Sequence, residues 1–273
     1  MLTIGDAFTA AREAGVERLD AQLLLAACTQ RPRAWLIAHA DAPLAVESTN
    51  TFLAWLRRRA QGEPLAYIFG EKEFHGLLLK VDANVLVPRP DTETLVDWAL
   101  EVIRAGDPAT RVVDLGTGSG AIALAIKHAV ASADVAAVDE SSGALDVARA
   151  NGQRLALSVD WKLGHWWQPL GAQRFDIAVS NPPYVADADE HLAALSHEPR
   201  SALTAGADGL DDIRDIVSGA LHHLAPGGWL MLEHGHDQAA RVRELLDRAG
   251  FAGVQSRRDL AGIERCTGGR APL

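Results

Sequence analysis

A glycine-rich loop followed by an acidic residue is the first group in this sequence that could bind a ligand. The loop consists of Gly116, Thr117, Gly118, Ser119 and Gly120. Glycine lets a backbone turn sharply and approach a ligand closely, because no Cβ stands in the way. Asp139 ends the next apolar segment, where its carboxylate could accept hydrogen bonds from both hydroxyls of a ribose. The pattern predicts a site for a ligand that contains a nucleoside.

The loop alone does not identify that ligand. Gly116, Gly118 and Ala121 also match the dinucleotide fingerprint, with alanine in the third place. NAD and S-adenosylmethionine both carry an adenosine whose ribose could bind Asp139. The choice between them therefore depends on a second motif.

That motif is the tetrapeptide Asn181-Pro182-Pro183-Tyr184, which follows the apolar segment 175–180. Each proline fixes its own φ and pushes the residue before it into extended backbone. The side-chain oxygen of Asn181 and the carbonyl of Pro182 could therefore accept the two N–H bonds of a planar NH₂ group. Tyr184 could offer an aromatic face to a flat substrate. Asn-Pro also commonly begins a turn, which is the structural alternative.

An NH₂ group held in this way is suited to methyl transfer. The nitrogen of an amide or aromatic amine is a poor nucleophile, because its lone pair is delocalised. Alignment with a methyl–sulfonium bond makes attack feasible through positioning. Acceptors on the N–H bonds also stabilise the positive charge that develops on nitrogen. The tetrapeptide thus favours S-adenosylmethionine, since an NAD-dependent oxidoreductase would leave it without a purpose.

The elements that must position these residues form an α/β fold. Residues 1–63 show only helical spacing and predict a helical N-terminal recognition domain. Residues 64–90 are rich in β-forming residues with turn signals, and they predict a β-hairpin linker. In 91–273, apolar strands alternate with helices, which predicts a mostly parallel sheet covered on both faces. Such sheets bind ligands at the carboxyl ends of their strands.

Composition excludes several classes of protein. The 273 residues carry a net charge of −10, which argues against non-specific nucleic-acid binding. Two cysteines cannot build a disulfide framework or a four-cysteine zinc site. The sequence has no apolar run of 18 residues and no secretory signal, so we expect a cytoplasmic protein without a membrane span. Glu233, His234 and His236 lack a further anchor, so we expect no metal.

Seven segments together resemble the HemK/PrmC family of protein-(glutamine-N5) methyltransferases, which modify peptide chain release factors. These segments are GEPLAYIFGEKEFHGL (62–77), VLVPRPDTETLVDWAL (85–100), VVDLGTGSGAIALA (112–125), AVDESSGALDVARAN (137–151), FDIAVSNPPYV (175–185), HEPRSAL (197–203) and LEHGHDQ (232–238). The NPPY tetrapeptide alone is shared with other amino-methyltransferases. Its combination with the PRPDTE segment is much more specific.

The resemblance implies a small helical N-terminal domain, a β-hairpin and a seven-stranded Rossmann-like class I methyltransferase domain. It implies S-adenosylmethionine as methyl donor and S-adenosylhomocysteine as product. Residues 116–120 would then bind the donor, and Asp139 would take its ribose. Trp166 would flank the adenine, with His165 at the position where the family has an acid.

The substrate in this family is the glutamine of a Gly-Gly-Gln loop in release factors. The resemblance implies that the amide of this glutamine is bound by the segment Asn181, Pro182, Pro183 and Tyr184. It also implies that Asn181 contacts the donor. Asn181 and Pro182 would be the catalytic residues. We expect a monomer whose partner is a release factor and not a nucleic acid or a membrane.

Four alternatives stay open from the residues. They are glutamine methylation of a ribosomal protein, adenine-N6 methylation of nucleic acid, an NAD-binding oxidoreductase, and a binding module without activity. Two charged residues in the quoted segments have structural interpretations. Glu198 is expected to pair with Arg200 or another arginine, and Arg89 with an acid.

Overall fold

The computed structural model describes residues 2–106 and 109–273, which form two compact units, 1–70 and 71–273. The first unit is helical. Its helices are α1 (Ile4–Glu13), α2 (Arg18–Thr29), α3 (Arg33–Ala38), α4 (Val46–Ala60) and α5 (Leu65–Phe69). Thr3 and Asp6 form a capping box that begins α1. Leu24, Leu36 and Phe52 are fully buried at the centre of this unit.

Helix α5 corrects the prediction that residues 64–70 belong to a β-hairpin. Pro64 precedes the first turn, and Gly70 ends the helix in the left-handed region with φ +74°. The residues between them bury three consecutive side chains, Ala66, Tyr67 and Ile68. A short apolar run looks the same in a strand and in a buried helix, so spacing alone could not separate the two.

The β-hairpin is present in the second unit. It consists of β1 (Glu71–Phe74) and β2 (Leu77–Lys80), which are antiparallel. His75 and Gly76 form the two-residue turn, and both have positive φ angles, +48° and +78°. Two positive φ angles suit the turn to the twist of the paired strands.

A seven-stranded mixed sheet forms the rest of the second unit. Its strands are β3 (Arg111–Leu115), β4 (Asp134–Asp139), β5 (Asp160–Leu163), β6 (Phe175–Ser180), β7 (Leu224–Glu233), β8 (Ala252–Arg258) and β9 (Glu264–Arg270). The spatial order is β5-β4-β3-β6-β7-β9-β8. The first five strands in this order run parallel, and β9 is antiparallel to both of its neighbours. This is the arrangement of class I methyltransferases.

Helices cover both faces of the sheet, as predicted. They are α6 (Glu93–Ala105), α7 (Ala121–Ala129), α8 (Ser142–Leu155), α9 (Asp211–His223) and α10 (Ala239–Arg248). Val112 packs in a core with α6 and α7, whereas its neighbour Val113 packs in a second core with α9 and α10. Alternate residues of β3 thus enter opposite cores, which explains why its sequence is almost continuously apolar.

The strand order reverses next to β3, which has β4 on one side and β6 on the other. Leu115 and Ser180 are partners at the ends of β3 and β6. The residues that follow them, Gly116 and Asn181, therefore start at the same edge of the sheet. A crevice at such a reversal is where open α/β sheets bind ligands. Across 2–106 and 109–273, no helix is both long enough and apolar enough to cross a membrane.

Candidate active site

A cavity of about 160 Å³ lies at this edge of the sheet. Eight residues predicted from the sequence line it: Gly116, Thr117, Gly118, Ser119, Asp139, Trp166, Asn181 and Pro183. Three others, Gly120, Pro182 and Tyr184, lie outside its wall. A water molecule needs only about 10–15 Å³ measured in this way, so the cavity has room for an organic ligand.

The glycine loop is held against the end of β4 by its own backbone. The N–H groups of Gly116 and Thr117 both donate to the carbonyl of Val138, at 2.9 and 3.0 Å. Gly116 has a φ of +73°, and a Cβ there would lie 3.1 Å from the ring of Trp166. Glycine is therefore required at position 116 both by the backbone and by the close approach of the tryptophan.

Asp139 joins this loop to the start of α8. Its Oδ2 accepts from the Gly118 N–H at 2.8 Å, and its Oδ1 accepts from the Ser141 N–H at 2.9 Å. Burial raises the pKa of the Asp139 carboxyl, and hydrogen bonds from backbone N–H groups, including those of Ser141 and Gly118, oppose that rise. A carboxylate oxygen has two lone pairs, so each oxygen can accept one more hydrogen bond from a ligand.

A second carboxylate, Asp114, lies beneath the loop and is fully buried. Its Oδ2 accepts from the Thr117 hydroxyl at 2.6 Å and from the Ala123 N–H at 3.2 Å. Its Oδ1 is buried without a hydrogen-bond partner among the described residues. Burial raises the pKa of Asp114 to about 7. Asp114 braces the loop from behind and does not line the cavity.

Two adjacent tryptophans, Trp166 and Trp167, point in different directions. Trp166 lines the cavity with a left-handed backbone, φ +42°, and its buried indole N–H has no partner among the residues described. Trp167 points into the core, where its N–H donates to the Ile216 carbonyl at 2.9 Å. Of the two side chains, only that of Trp166 can contact a ligand in the cavity.

His165 and Asp212 also line the cavity. The His165 ring meets the Trp166 ring edge-on, with centroids 5.3 Å apart. Burial raises the pKa of Asp212 to about 6, and His165 opposes the rise. In the described part of the chain, no hydrogen bond or ion pair reaches the Asp212 carboxylate. No sequence pattern indicated Asp212, because it lies on α9, far along the chain from the other residues of the cavity.

Asn181 also lines the cavity, and its side-chain amide nitrogen already makes a hydrogen bond. Its Nδ2 donates to the Thr92 hydroxyl at 3.2 Å. No hydrogen bond reaches Oδ1 within the described residues, so this oxygen remains as an acceptor at the cavity wall. The strand end before it is fixed, because the Ser180 hydroxyl donates to the Leu115 carbonyl at 2.6 Å.

Tyr184 turns towards the end of β7. Its hydroxyl donates to Oε1 of Glu233 at 3.4 Å, and its carbonyl accepts from Nε2 of Gln238 at 3.0 Å. Burial raises the pKa of the Tyr184 phenol. These two hydrogen bonds hold the side chain and the backbone of Tyr184 in place.

Glu233 is 1% exposed and lies behind Asn181 and Tyr184. Burial raises its pKa to about 7, while a side-chain hydrogen bond with Thr92 and the charge of Arg265 oppose the rise. Its Oε2 is buried without a hydrogen-bond partner in the described chain. Sequence reasoning considered Glu233 only as a metal ligand and assigned no role to Thr92.

The histidine next to Glu233, His234, is held by local hydrogen bonds. His234 is buried, and its ring contacts the Thr267 hydroxyl at 2.7 Å and the Gly235 carbonyl at 2.9 Å. Burial lowers the pKa of its imidazole. Among residues 2–106 and 109–273, no group of three His, Cys, Asp or Glu side chains could hold a metal ion.

Arg89 and Glu198 form the ion pair that the sequence suggested for each of them. The Arg89 guanidinium donates to both oxygens of Glu198, at 2.7 and 2.8 Å. Burial raises the pKa of Glu198, and Arg89 opposes that rise. The pair connects the 84–92 and 197–203 segments, both of which contribute residues to the cavity wall.

Known proteins match this chain over both of its units. A family model described as the PrmC N-terminal domain matches residues 2–70, and the methyltransferase small domain matches residues 95–249. The release factor glutamine methyltransferase of Xylella fastidiosa is 47% identical over 269 residues, which cover 97% of this chain and 98% of that protein. That of Pseudomonas aeruginosa is 49% identical over 256 residues, with 93% and 92% covered.

Among solved structures, a methyltransferase from Pyrococcus furiosus has a TM-score of 0.55 at 17% identity, with 72% of this chain and 90% of that chain covered. This likeness supports the fold. Together, the sheet and the family models define an S-adenosylmethionine-dependent methyltransferase with a helical N-terminal domain. More narrowly, the chain belongs to the PrmC/HemK family of release factor glutamine methyltransferases. The donor is therefore S-adenosylmethionine and not NAD.

Proposed function

We propose that this protein methylates the side-chain amide nitrogen (N5) of the glutamine in the Gly-Gly-Gln motif of peptide chain release factors. The observation that carries the proposal is the state of Asn181. Its Nδ2 is held by Thr92, and its Oδ1 remains as an acceptor at the cavity wall. A primary amide needs such an acceptor to orient its nitrogen.

The cavity residues fit the methyl donor. Gly116–Ser119 provide a backbone that a ligand can approach, and the spare lone pairs of Asp139 suit two ribose hydroxyls. Trp166 offers an aromatic face to adenine. When bound, the donor supplies a methyl group on a positively charged sulfur, which is an electrophile.

Asn181 and Pro182 hold the acceptor. The Asn181 Oδ1 accepts one N–H of the substrate amide, and the Pro182 carbonyl accepts the other. Pro182 itself lies outside the cavity wall, between Asn181 and Pro183, which both line it. This grip turns the nitrogen lone pair towards the methyl carbon and stabilises the positive charge that develops on nitrogen. The N–C bond forms as the methyl–sulfur bond breaks, the electron pair of that bond stays on sulfur, and S-adenosylhomocysteine would be the leaving product. The nitrogen then releases one proton to water, and this proton becomes acidic only during attack.

The partner is a release factor, and we propose that the protein works as a monomer in the cytoplasm, with residues 1–70 as the recognition domain, 71–90 as the linker and 91–273 as the catalytic domain. The net charge of −10 disfavours a nucleic-acid substrate, and a membrane is not part of the reaction. The oligomeric state can be checked by light scattering during size-exclusion chromatography. A stable dimer would contradict this part of the proposal.

The test is methyl transfer from radiolabelled S-adenosylmethionine to four separate acceptors. These are a purified release factor, the same factor with its motif glutamine replaced by alanine, ribosomal proteins, and DNA. We expect label on the intact release factor alone, located to the motif glutamine by mass spectrometry. Label on ribosomal protein or DNA alone would overturn the proposal. Gln153→Ala, an exposed carboxamide on α8, is the matched control for Asn181→Ala.

A further inference from the structure

We propose that Gln238 is a positioning residue for methyl transfer, which holds the Tyr184 end of the tetrapeptide and thereby sets where the Pro182 carbonyl lies. The inference rests on the proposed function, in which Asn181 and Pro182 hold the substrate amide. Gln238 is 7% exposed and is not part of the cavity wall. It therefore acts through the tetrapeptide and contacts neither the substrate nor the donor.

The tetrapeptide is a stiff segment that has to be placed from its two ends. A proline fixes its own φ and has no N–H, so backbone donors of their own cannot anchor Pro182 and Pro183. The first end follows β6, where the Ser180 hydroxyl donates to the Leu115 carbonyl at 2.6 Å. The position of the second end therefore decides how the two prolines lie relative to the sheet.

The second end is held by one carboxamide. Nε2 of Gln238 donates to the Tyr184 carbonyl at 3.0 Å. The same nitrogen lies 3.4 Å from the carbonyl oxygens of Asp208 and Gly209, in the loop that precedes α9. An NH₂ group has two protons, so one can bind Tyr184 while the two loop carbonyls share the other. Gln238 thus joins the tetrapeptide to this loop.

The orientation of the Gln238 carboxamide is fixed by its oxygen. Oε1 accepts from the Gly235 N–H at 2.8 Å, and a backbone N–H can only donate, so the NH₂ group must face Tyr184. Gly235 is itself held, because its carbonyl accepts from the Gln238 N–H at 3.1 Å and from Nδ1 of His234 at 2.9 Å. A flipped carboxamide would place donor against donor and acceptor against acceptor.

The loop on the other side of the Tyr184 carbonyl packs closely against it. Gly209 has a φ of +71°, and a Cβ there would lie 2.2 Å from the Tyr184 oxygen and 2.9 Å from Nε2 of Gln238. Asp208 forms an ion pair with Arg241 of α10, the helix that Gln238 precedes. If position 238 cannot donate, a buried carbonyl loses its partner at a cost in free energy, and the Tyr184 end must shift.

Gln238→Glu is the first test, because an ionised glutamate keeps the shape and can accept from Gly235 but cannot donate to Tyr184. At pH 8 we expect kcat to fall by about 10–10²-fold, since a small misplacement of the acceptors is enough for such a loss. Kd for the donor, measured by calorimetry, should be unchanged, because the hydrogen bonds of the Gln238 side chain do not reach the glycine loop. Gln153→Glu, an exposed carboxamide on α8, is the matched control and should keep the wild-type kcat.

The same variant should regain activity as the pH falls. A protonated glutamate can donate its O–H to the Tyr184 carbonyl and accept from Gly235 with its other oxygen, which restores the wild-type pattern. Burial favours this neutral form. We therefore expect the ratio of the Gln238→Glu kcat to the wild-type kcat to rise between pH 8 and pH 5. Gln238→Met has a similar length and no donor, so its ratio should stay low throughout.

The charges around position 238 leave burial as the main influence on a carboxyl there. The charged and titratable groups of the surrounding elements are Asp208 in the loop, Arg214 on α9, Arg241 on α10, Tyr184, and Glu233 and His234 at the end of β7, while His236 and Asp237 directly precede the position. The two arginines pair with the carboxylates of Asp208 and Asp211, so their charges balance. The ratio to the wild type removes the titration of groups that both proteins contain.

Gly209→Ala is the second test, and its outcome does not depend on whether the Gln238 variants fold. The new Cβ would push the Tyr184 carbonyl from the side opposite Gln238. We expect kcat to fall about as much as in Gln238→Glu at pH 8, with an unchanged Kd for the donor. The control is Gly262→Ala, where φ is +82° and no atom lies within 4 Å of the Cβ position. Thermal unfolding and donor binding show whether each variant is folded.

The outcomes separate this inference from the proposed function. A wild-type kcat in Gln238→Glu at pH 8, a kcat ratio that does not rise at low pH, or a wild-type kcat in Gly209→Ala would overturn the inference. If the Gln238 variants do not fold, Gly209→Ala decides alone. If Asn181→Ala is inactive when the inference fails, the proposed function still stands. If Asn181→Ala retains normal turnover, the role of Asn181 is wrong and both proposals fall.

Discussion

The cavity wall contains two parts that are built in different ways. The glycine-loop part consists mainly of backbone from one strand–loop–helix–strand unit, held by Asp139 and by Asp114 beneath it. The tetrapeptide part depends on side chains from two separate segments, because Asn181 is held by Thr92. The glycine-loop part can bind the donor but does not orient the substrate amide. The tetrapeptide part orients that amide, so we expect it to affect the reaction rate more than the affinity for the donor.

Asn181→Ala should give the largest effect, because it removes an acceptor that acts on the charge developing in the transition state. We expect kcat to fall by about 10²–10³-fold. Kd for the donor, measured by calorimetry, should change only a few-fold, and the melting temperature should be close to that of the wild type. An equal loss of donor affinity would show that the tetrapeptide part and the glycine-loop part of the cavity wall do not have separate roles.

Gly116→Ala should affect the glycine-loop part of the cavity wall, and therefore the binding of the donor. The new Cβ would sit at a φ of +73° and only 3.1 Å from the Trp166 ring, so this ring, which lines the cavity, must shift. We expect Kd for the donor to rise by about tenfold, which equals about 1.4 kcal/mol. Measurement of kcat at saturating donor should show a much smaller loss.

The control for this variant is Gly250→Ala. Gly250 has a φ of +90°, but no atom lies within 4 Å of its Cβ position. The same backbone strain should lower stability there and leave donor affinity unchanged. If both variants weaken donor binding alike, contact with Trp166 is not the cause.

Asp114→Asn should change the pH dependence of stability. In the folded protein burial raises the pKa of Asp114 to about 7, from an ordinary value of 3.8. Between these values the folded state binds the proton and the unfolded state does not, so stability falls as pH rises. This one group contributes a slope of at most about 1.4 kcal/mol per pH unit.

Urea unfolding at several pH values between 5 and 8 tests this prediction. Asparagine cannot ionise, so the slope should become shallower in Asp114→Asn. The exposed Asp146→Asn variant on α8 should keep the wild-type slope. An unchanged slope in Asp114→Asn would mean that this carboxyl ionises freely in the folded protein.

Tyr184→Phe should have the smallest effect. The hydrogen bond between Tyr184 and Glu233 is long, at 3.4 Å, and the aromatic ring is retained. Loss of one such bond is worth about 0.5–1.5 kcal/mol, so we expect kcat to fall less than tenfold. A loss as large as that of Asn181→Ala, in steady-state assays, would mean that the hydroxyl has a direct role.

The same contrast explains what could be predicted from the sequence. The apolar segment 175–180 is a strand of the sheet, because apolar runs between turn residues have few alternatives. The glycine loop and Asp139 were also found, since they are close in sequence and both line the cavity. Residues 65–69 were predicted wrongly, because five apolar residues suit a buried helix equally well.

The link between Thr92 and Asn181 could not be predicted. The two residues are 89 positions apart, and they meet only because α6 begins beside the end of β6. Hydrophobic spacing predicts elements, but it carries no information about which polar side chains will meet. Asp212 was missed for the same reason, since α9 brings it to the cavity from far along the chain.

The double anchorage of Asp139 has a consequence for regulation by metabolite levels. Its two oxygens accept hydrogen bonds from the Gly118 and Ser141 amides, so the protein itself orients the carboxylate of the proposed ribose subsite. Such a subsite holds the spent and the fresh donor by the same contacts, because the two differ only at sulfur. We therefore expect S-adenosylhomocysteine to compete strongly with the donor for this site, so that the reaction rate depends on the cellular ratio of the two nucleosides.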